Sequence, residues 1–429
     1  MSTESWGRWI ESAPRRVVDV DWPELVPPHD DLVLAYGLGR SYGDSCLNNG
    51  HTLLATSRLS RFRSFDRETG VIECDAGTTL DDILRVAVPR GWFLPVTPGT
   101  RFVTVGGCIA NDVHGKNHHR AGTFGMHVES FTLVRSDGAR VRCAKGENQE
   151  LYRATIGGLG LTGLIVSAVI QLRRIRSPLM IVERVPFRGI EQFAALSIES
   201  DAGHDYTVAW LDAFGGRRSR GIFFRGNHAE EGSLETRREK RPRAFPLRPF
   251  SPLLTSLTVR AFNAAYFRAN SRPAPQVTKY EPFFYPLDVV ANWNAVYGRR
   301  GFLQYQFVIP ESAGLEPVEE ILDAIAGAAI ASPLTVLKKF GTTASPGLLS
   351  FPRSGTTVSL DFPARRLDLL LTLLERCDDV VEAAGGAVYP AKDARMAPAR
   401  FRRFFPQWEE LARHADPQFS STFWRRVTR

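Results

Sequence analysis

The chain has 429 residues, 43% hydrophobic and 23% charged, with 54 Lys and Arg against 46 Asp and Glu for a formal charge of +8. This composition fits a soluble globular protein of about two or three domains. No window holds the roughly 20 apolar residues of a membrane-spanning helix, and the start, MSTESWGRWIESAPRR, lacks the apolar centre of an export signal. In chain order, DLVLAY (31–36), HTLLAT and GVIECDAG read as strands separated by glycine turns. TTLDDILRVAVPRG then reads as a helix, with Thr79 as N-cap, Asp82 completing a capping box, and Pro89 and Gly91 ending it. HVESFTLVRSDGARVRCAKG reads as a hairpin turning at Asp137-Gly138. Residues 226–280 are rich in Arg, Pro and Asn, lack a period, and read as an irregular insertion or mobile lid. From 281 a strand (GFLQYQFVIP), a helix (LEPVEEILDAIAGAAI), a strand (TTVSLDFP) and a helix (RRLDLLLTLLERCDDVVEAAGG) follow. The expected class is α+β, with a second unit of helices packed on an antiparallel sheet.

The five cysteines, Cys46, Cys74, Cys108, Cys143 and Cys377, are widely spaced and never form C-x-x-C. They point to neither a disulfide framework nor a thiolate zinc site, and a reducing cytoplasm is the expected location. The positive charge concentrates in GGRRSRG (215–221), TRREKRPR (236–243), RFRRFF (400–405) and the terminal WRRVTR. Such patches attract phosphate, although a solvated surface has the same composition. No nucleic-acid motif accompanies them, so no nucleic-acid partner is expected.

Three glycine-dense turns stand out. In AYGLGRSYGDS (35–45), Gly37, Gly39 and Gly43 do not follow the G-x-G-x-x-G spacing and lead into a turn and another strand, which argues against a nicotinamide-binding Rossmann unit. The turn can still present consecutive backbone N–H groups to a pyrophosphate; a plain surface turn is the alternative. TPGTRFVTVGGCIANDVHG (97–115) and IGGLGLTGLIVSAVIQL (156–172) also run glycine turns beside apolar segments. Three such turns in one half of a chain point to backbone lying along one extended ligand.

Between them lies HGKNHHRAGTFG, with His114, His118, His119 and then His127. A helical zinc site would need H-E-x-x-H; here Gly115 follows His114 and no acidic or cysteine partner is near, so no metal is expected. In FLQYQFVIP, Leu303, Tyr305, Phe307 and Ile309 share one strand face while Gln304 and Gln306 share the other; TTVSLDFP separates Val358, Leu360 and Phe362 from Thr357, Ser359 and Asp361. The polar faces suit either solvent or sugar hydroxyls, since an amide both donates and accepts.

GLGRSYGD, PGTRFVTVGGCIANDVHGKNHHRAGTFG and GGLGLTGLI resemble the flavin-binding half of the vanillyl-alcohol-oxidase (PCMH-type) FAD oxidoreductases. HGKNHH, FLQYQFVIP and YPAKDAR (389–395) resemble, more specifically, the decaprenylphosphoryl-β-D-ribose oxidase family. The resemblance implies a FAD-binding domain at 1–177, a substrate domain at 178–386 and a return to the FAD domain at 387–429. It implies FAD held non-covalently, because covalent relatives often carry histidine in the first loop where this chain has Arg40. By matching positions, Gly37, Leu38, Gly39, Arg40, Ser41, Tyr42, Gly43, Asp44 and Ser45 would wrap the pyrophosphate. Gly99, Thr104, Val105, Gly106 and Gly107 would follow the cofactor, Asn111, Asp112, Val113 and His114 would pass beside the flavin, and Ile165 and Tyr389 would complete its site.

The same resemblance implies a substrate pocket of His114, Lys116, Gln304, Gln306, Lys338 and Ser359, with Lys392 as the catalytic base or electrostatic stabiliser and Tyr42 beside the flavin as a hydrogen-bonding neighbour. His118, His119 and His127 are left to support the turn. The implied reaction is FAD-dependent oxidation of the ribose 2′-hydroxyl of a polyprenylphosphoryl-β-D-ribose, a lipid-linked sugar phosphate, on an anionic membrane surface. An NADH-dependent keto-reductase partner subunit would complete the epimerisation to the arabinofuranose donor. This chain departs from the family pattern at Ser359, where well-known members have cysteine, at Thr357, where they have asparagine, and at Phe284-Tyr285, where they have tyrosine-histidine. The competing expectations are a soluble alditol or aldonolactone oxidase of the same superfamily, and a non-enzymatic basic scaffold retaining the fold.

Overall fold

A computed structural model describes residues 3–23, 30–234, 254–272, 274–330 and 332–429, with the backbone alone at 243–244. The N-terminal half is built on two small sheets. Strands Arg16–Asp19, Thr52–Ala55 and Val33–Tyr36 pair in parallel. Phe62–Phe65, Val71–Asp75, Leu164–Gln171, Val128–Val134 and Arg140–Ala144 form an antiparallel five-stranded sheet. The expected hairpin is its edge, Val128–Val134 against Arg140–Ala144. Helix Leu80–Ala87 starts where the capping box predicts: Thr79 Oγ1 accepts from Asp82 N at 3.1 Å and Asp82 Oδ2 accepts from Thr79 N at 3.2 Å.

The second half is an antiparallel sheet of eight strands, in the order Gln276–Lys279, Leu179–Arg188, Arg220–His228, Tyr206–Leu211, Thr335–Phe340, Gly355–Pro363, Phe302–Pro310 and Ala387–Val388. Its two faces follow the alternation in the sequence. Leu303, Tyr305, Phe307, Val358, Leu360 and Leu337 are buried in one hydrophobic core with residues of helices Gly189–Asp201, Glu316–Gly327 and Leu367–Ala383. Tyr305 Oη donates to Asp378 Oδ1 at 2.9 Å, so even the polar tip on that face is paired inside the helix layer. The opposite face carries Gln304, Gln306, Thr357 and Ser359, all less than a tenth exposed. Of the two settings open to that polar stripe, the fold chose an interior cavity over solvent. A slip of one residue would exchange the two sets, so burial fixes the register.

The segment 226–280, expected to be irregular, is ordered where it is described. Helix Ser256–Asn270 begins at a second capping box, Thr255 with Thr258, and strand Gln276–Lys279 pairs with Leu179–Arg188. Its weak period reflects a helix of which few residues face the interior: Val259 and Asn263 are buried, whereas Leu257 and Phe262 stand exposed. The basic run at 236–243 lies outside the described residues apart from the backbone of 243. The large sheet begins at Leu179 and ends on Ala387–Val388, so the chain joins its last edge strand before returning to the N-terminal half.

Because Thr79 and Asp82 satisfy the first amides of an otherwise short helix, Thr79→Ala should lower the stability of the N-terminal half by about 1 kcal/mol, read as a lower urea midpoint.

Candidate active site

The three glycine turns converge on one cavity of about 1350 Å³, whose other walls are the polar face of the eight-stranded sheet and helix Ser256–Asn270. That exceeds the roughly 300–1,000 Å³ of an ordinary small-molecule pocket, so it has room for an extended cofactor and a second ligand. In the first turn, Gly39 has φ +60° and a Cβ there would lie 2.5 Å from Glu4 O. A Cβ on Gly43 would fall 1.7 Å from Asp393 O. The N–H groups of Tyr42 and Asp44 donate to Ala391 O at 2.9 Å and Asp393 O at 3.3 Å. Among the described residues no protein group accepts from the amides of Leu38, Gly39, Arg40 or Ser41, which leaves them for a ligand. Arg40 Nε donates to Phe102 O at 2.9 Å, with its guanidinium 3.9 Å from the Trp6 ring centre, which ties the first turn to the second.

In the second turn Thr104 caps helix Val105–Ala110, its Oγ1 accepting from Gly107 N at 3.2 Å. Gly99 faces open space, whereas a Cβ on Gly37 would strike Thr104 Oγ1 at 2.5 Å. Leu159, Gly160, Gly163 and Ile165 bring the third turn to the same wall. The turns, the free amides and the unpartnered buried Ser45 Oγ fit a diphosphate and a flat ring system.

Four of the sequence-predicted cofactor residues do not reach this wall. Val105 is wholly buried in the hydrophobic core. Gly43 and Asp44 turn toward the C-terminal segment, where Asp44 pairs with Arg426. Asp112 points inward, its carboxylate accepting from Gly125 N at 2.9 Å, from Ser350 Oγ at 2.6 Å and from Ser345 Oγ, so it fixes the histidine loop. The remaining predicted cofactor residues line the cavity, as do all the predicted substrate and catalytic residues.

The polar wall has a defined proton arrangement. Thr357 Oγ1 donates to Phe307 O at 2.7 Å and accepts from Gln306 Nε2 at 3.1 Å; Gln306 Nε2 also donates to His114 Nε2 at 3.1 Å. Burial and the nearby Lys338 and Lys392 hold His114 well below the usual histidine range, so it is neutral with its proton on Nδ1. Gln304 Nε2 donates to Asp361 Oδ1. Both amides thus direct their N–H groups to the protein, leaving Gln304 Oε1, Gln306 Oε1 and His114 Nδ1 buried without a protein partner. The sequence pattern had offered both functions of each amide to a ligand; the fold turns the N–H functions of both toward protein acceptors. The other histidines are structural. His118 Nδ1 accepts from Gly341 N at 3.1 Å, while His119 Nε2 and His127 Nε2 pair with His204 O at 3.0 Å and Ala121 O at 2.9 Å. Among the described residues no cluster of His, Cys, Asp and Glu could hold a metal ion.

Positive charge dominates the wall. Lys116, Lys338, Lys392, Arg40 and Arg184 line it, against Asp288 as the carboxylate among the described lining residues. Lys392 Nζ donates to Ser359 Oγ at 3.3 Å and lies 5.4 Å from the Tyr42 ring centre. Burial and repulsion from Lys338 push its ammonium down to about 7, against the pull of Asp361. Burial lowers Lys338 to about 8; burial and Lys338 lower Lys116 to about 7. Lys116 Nζ donates to Phe283 O and lies 4.5 Å from the Phe283 ring centre.

Asp361, behind Gln304 and held by Tyr297 Oη at 3.0 Å, was not selected from sequence as a site residue. Its place in the same alternation as Thr357 and Ser359 was the available signal. The apolar arm of the cavity also escaped sequence reasoning. Val208, Trp210 and Val336 come from the sheet and Val259, Phe262 and Tyr266 from helix Ser256–Asn270, with the Trp210 and Tyr266 rings 4.7 Å apart.

Residues 25–144 match the family model described as FAD binding domain. The chain is 36% identical over 413 residues to the decaprenylphosphoryl-β-D-ribose oxidase of Mycolicibacterium smegmatis, covering 92% of this chain and 89% of that one. It belongs to the decaprenylphosphoryl-β-D-ribose oxidase family. An uncharacterized protein in the mprA 5′ region of Streptomyces coelicolor is 33% identical over 370 residues, 81% of this chain and 99% of that one. The human Delta(24)-sterol reductase is 30% identical over 131 residues, 30% of this chain and 25% of its own. The protein is an FAD-dependent oxidoreductase.

The buried lysines give a pH signature. Their folded values near 7, 8 and 7 lie below the ordinary 10.5, so the unfolded chain binds more protons between those limits. Their contribution to stability therefore rises as pH increases from about 7 to about 9. The melting temperature of FAD-free protein should climb over that range, and Lys338→Met should raise it at neutral pH and flatten the slope.

Proposed function

We propose that this family member oxidises the 2′-hydroxyl of a polyprenylphosphoryl-β-D-ribose to the 2′-keto sugar. The observation that carries the proposal is one cavity combining free amide turns, a lysine-rich polar wall and an apolar arm. FAD, when bound, supplies the two-electron acceptor for the hydride leaving the carbinol carbon. Leu38 to Ser41 would hold its diphosphate through their backbone amides, without a covalent bond. Gln304 Oε1 and Gln306 Oε1 accept from sugar hydroxyls, and His114 Nδ1–H donates to a sugar oxygen. Lys116 and Lys338 receive the phosphate, and the apolar arm receives the first isoprene units. Lys392 in its amine form takes the hydroxyl proton; its ammonium is then held by Ser359 Oγ and the field of Asp361.

A free alditol would leave both the lysine pair and the apolar arm unused, which disfavours the alditol oxidase alternative. The domain reading follows the ligands: the glycine turns at 1–177 and the return from 387 hold the cofactor, and 178–386 supplies the substrate wall. The exposed Leu257 and Phe262 on helix Ser256–Asn270, together with the net charge of +8, favour work at an anionic membrane surface. A keto-sugar product requires an NADH-dependent reductase partner to complete an epimerisation. Among the described residues no helix is long and apolar enough to cross a membrane.

Lys392→Ala protein should remain yellow, yet its anaerobic bleaching by polyprenylphosphoryl-ribose should slow by about 10²-fold or more. In the wild type the bleaching rate should rise with pH through about 7 and then level off; a fall above that point would make Lys392 an electrostatic stabiliser instead. Bleaching by free alditols but not by the lipid-linked ribose would overturn the substrate assignment. Trp210→Ala should raise KM for long-chain substrate by about ten-fold and leave short-chain analogues little changed.

A further inference from the structure

Two loops that reach the cavity from opposite ends of the sequence are joined behind its wall. Tyr42 and Asp44 donate their N–H groups to Ala391 and Asp393, the residues flanking Lys392. The absent Cβ of Gly43 lets the two backbones touch. Behind this contact, Arg426 of helix Thr422–Thr428 holds both Asp44 oxygens, Nε at 2.9 Å from Oδ2 and Nη2 at 2.8 Å from Oδ1. The same Nη2 donates to Asp393 Oδ2 at 2.9 Å. The Asp393 carboxylate also accepts from Met396 N at 3.0 Å and Arg395 N at 3.2 Å, which closes the turn that follows Lys392. Asp44 and Asp393 are 3% and 4% exposed, so the guanidinium is what allows two buried carboxylates to lie side by side. The helix that carries Arg426 is itself stitched to the first turn's exit, Thr422 N donating to Leu47 O at 2.8 Å and Asn49 N to Thr422 Oγ1 at 2.9 Å.

We infer that Arg426 is a positioning residue that clasps the diphosphate-binding turn to the Lys392 turn, so that cofactor binding and the placement of the Lys392 amine are coupled. This rests on the reading of Lys392 given above, but the clasp itself can be tested without substrate. Arg426 is not among the residues lining the cavity; it acts through Asp44 on the first turn and through Asp393 on the second. Removing the guanidinium leaves two carboxylates that repel or must protonate, and the turns separate. Lys392 then leaves the dry position that depresses its proton affinity, whereas Lys338, on a central strand, does not move. Coupling of this kind is reciprocal: cofactor binding and protonation of Lys392 alter one another's equilibrium by the same factor.

The test uses the full-length chain with Arg426→Gln, Arg426→Lys and Asp393→Asn. FAD affinity is read by quenching of flavin fluorescence. The protonation midpoints of Lys392 and Lys338 are read in FAD-free protein from the pH dependence of modification by an amine-reactive reagent, resolved by peptide mass spectrometry. Arg426→Gln and Asp393→Asn should weaken FAD binding by about ten-fold or more. In both, the Lys392 midpoint should move from about 7 toward the ordinary lysine value while that of Lys338 stays near 8. Arg426→Lys, which keeps the charge but not the fork, should recover most of both properties. An unchanged Lys392 midpoint in Asp393→Asn and Arg426→Gln, or equal movement of Lys338, would assign Arg426 to general stability and overturn the clasp. Should Arg426→Gln fail to fold, Asp393→Asn and Arg426→Lys decide the matter alone. Failure of Lys392 as a base would appear instead as unimpaired bleaching in Lys392→Ala, with these midpoints unaffected.

Discussion

An excess of positive charge lining one cavity is the constraint around which the rest of this structure is arranged. Three lysines and two arginines face one space, with Asp288 on the wall and Asp361 just behind it. Burying an ammonium without a counter-ion is costly, and the proteins that do so either neutralise the group or await an anion. Here both responses are visible. Lys116, Lys338 and Lys392 are depressed toward neutrality, and backbone amides without a protein acceptor line the same cavity. The diphosphate of FAD is an anion that would relieve this tension.

The cavity depends on a division of labour between the two faces of the eight-stranded sheet. The helix layer buries the apolar residues of strands Phe302–Pro310 and Gly355–Pro363, which fixes their register. The opposing residues then have no freedom in where they point. Gln306 is further restricted because Thr357 and His114 take both its N–H groups. The loops are held just as firmly: Arg40 reaches from the first glycine turn to the second, and Asp112 holds the histidine loop to Ser350. The polar wall is held by hydrogen bonds among its own side chains, while helix Ser256–Asn270 closes the apolar arm with a partly exposed face.

Much of this was legible in the chain itself. Capping at Thr79, the hairpin at Asp137-Gly138 and the alternation at 302–310 and 355–363 depend on local chemistry that a sequence displays, and each appears in the structure. Strands Leu179–Arg188 and Thr335–Phe340 carried no comparable signal, because polar residues such as Glu183, Arg184, Lys338 and Lys339 interrupt their apolar pattern. Lys338 and Arg184 face the cavity, so the residues that give the site its charge are those that obscured the strands. Helix Ser256–Asn270 was missed for the converse reason: its exposed positions include Leu257, Phe262 and several alanines where a solvated helix would hold charges.

The sequence by itself determined which residue types were available: glycines where the backbone must approach a ligand, alternating faces on two strands, and a basic excess seeking an anion. Those are short-range properties, set by sterics, strand period and composition. Only the tertiary structure decided that Asp112, Asp44 and Val105 serve the scaffold, that Asp361 stands behind Gln304, and that Arg426 joins residues 44 and 393. Burial and charge pairing act between atoms close in space whatever their separation along the chain, and a linear pattern does not contain those distances.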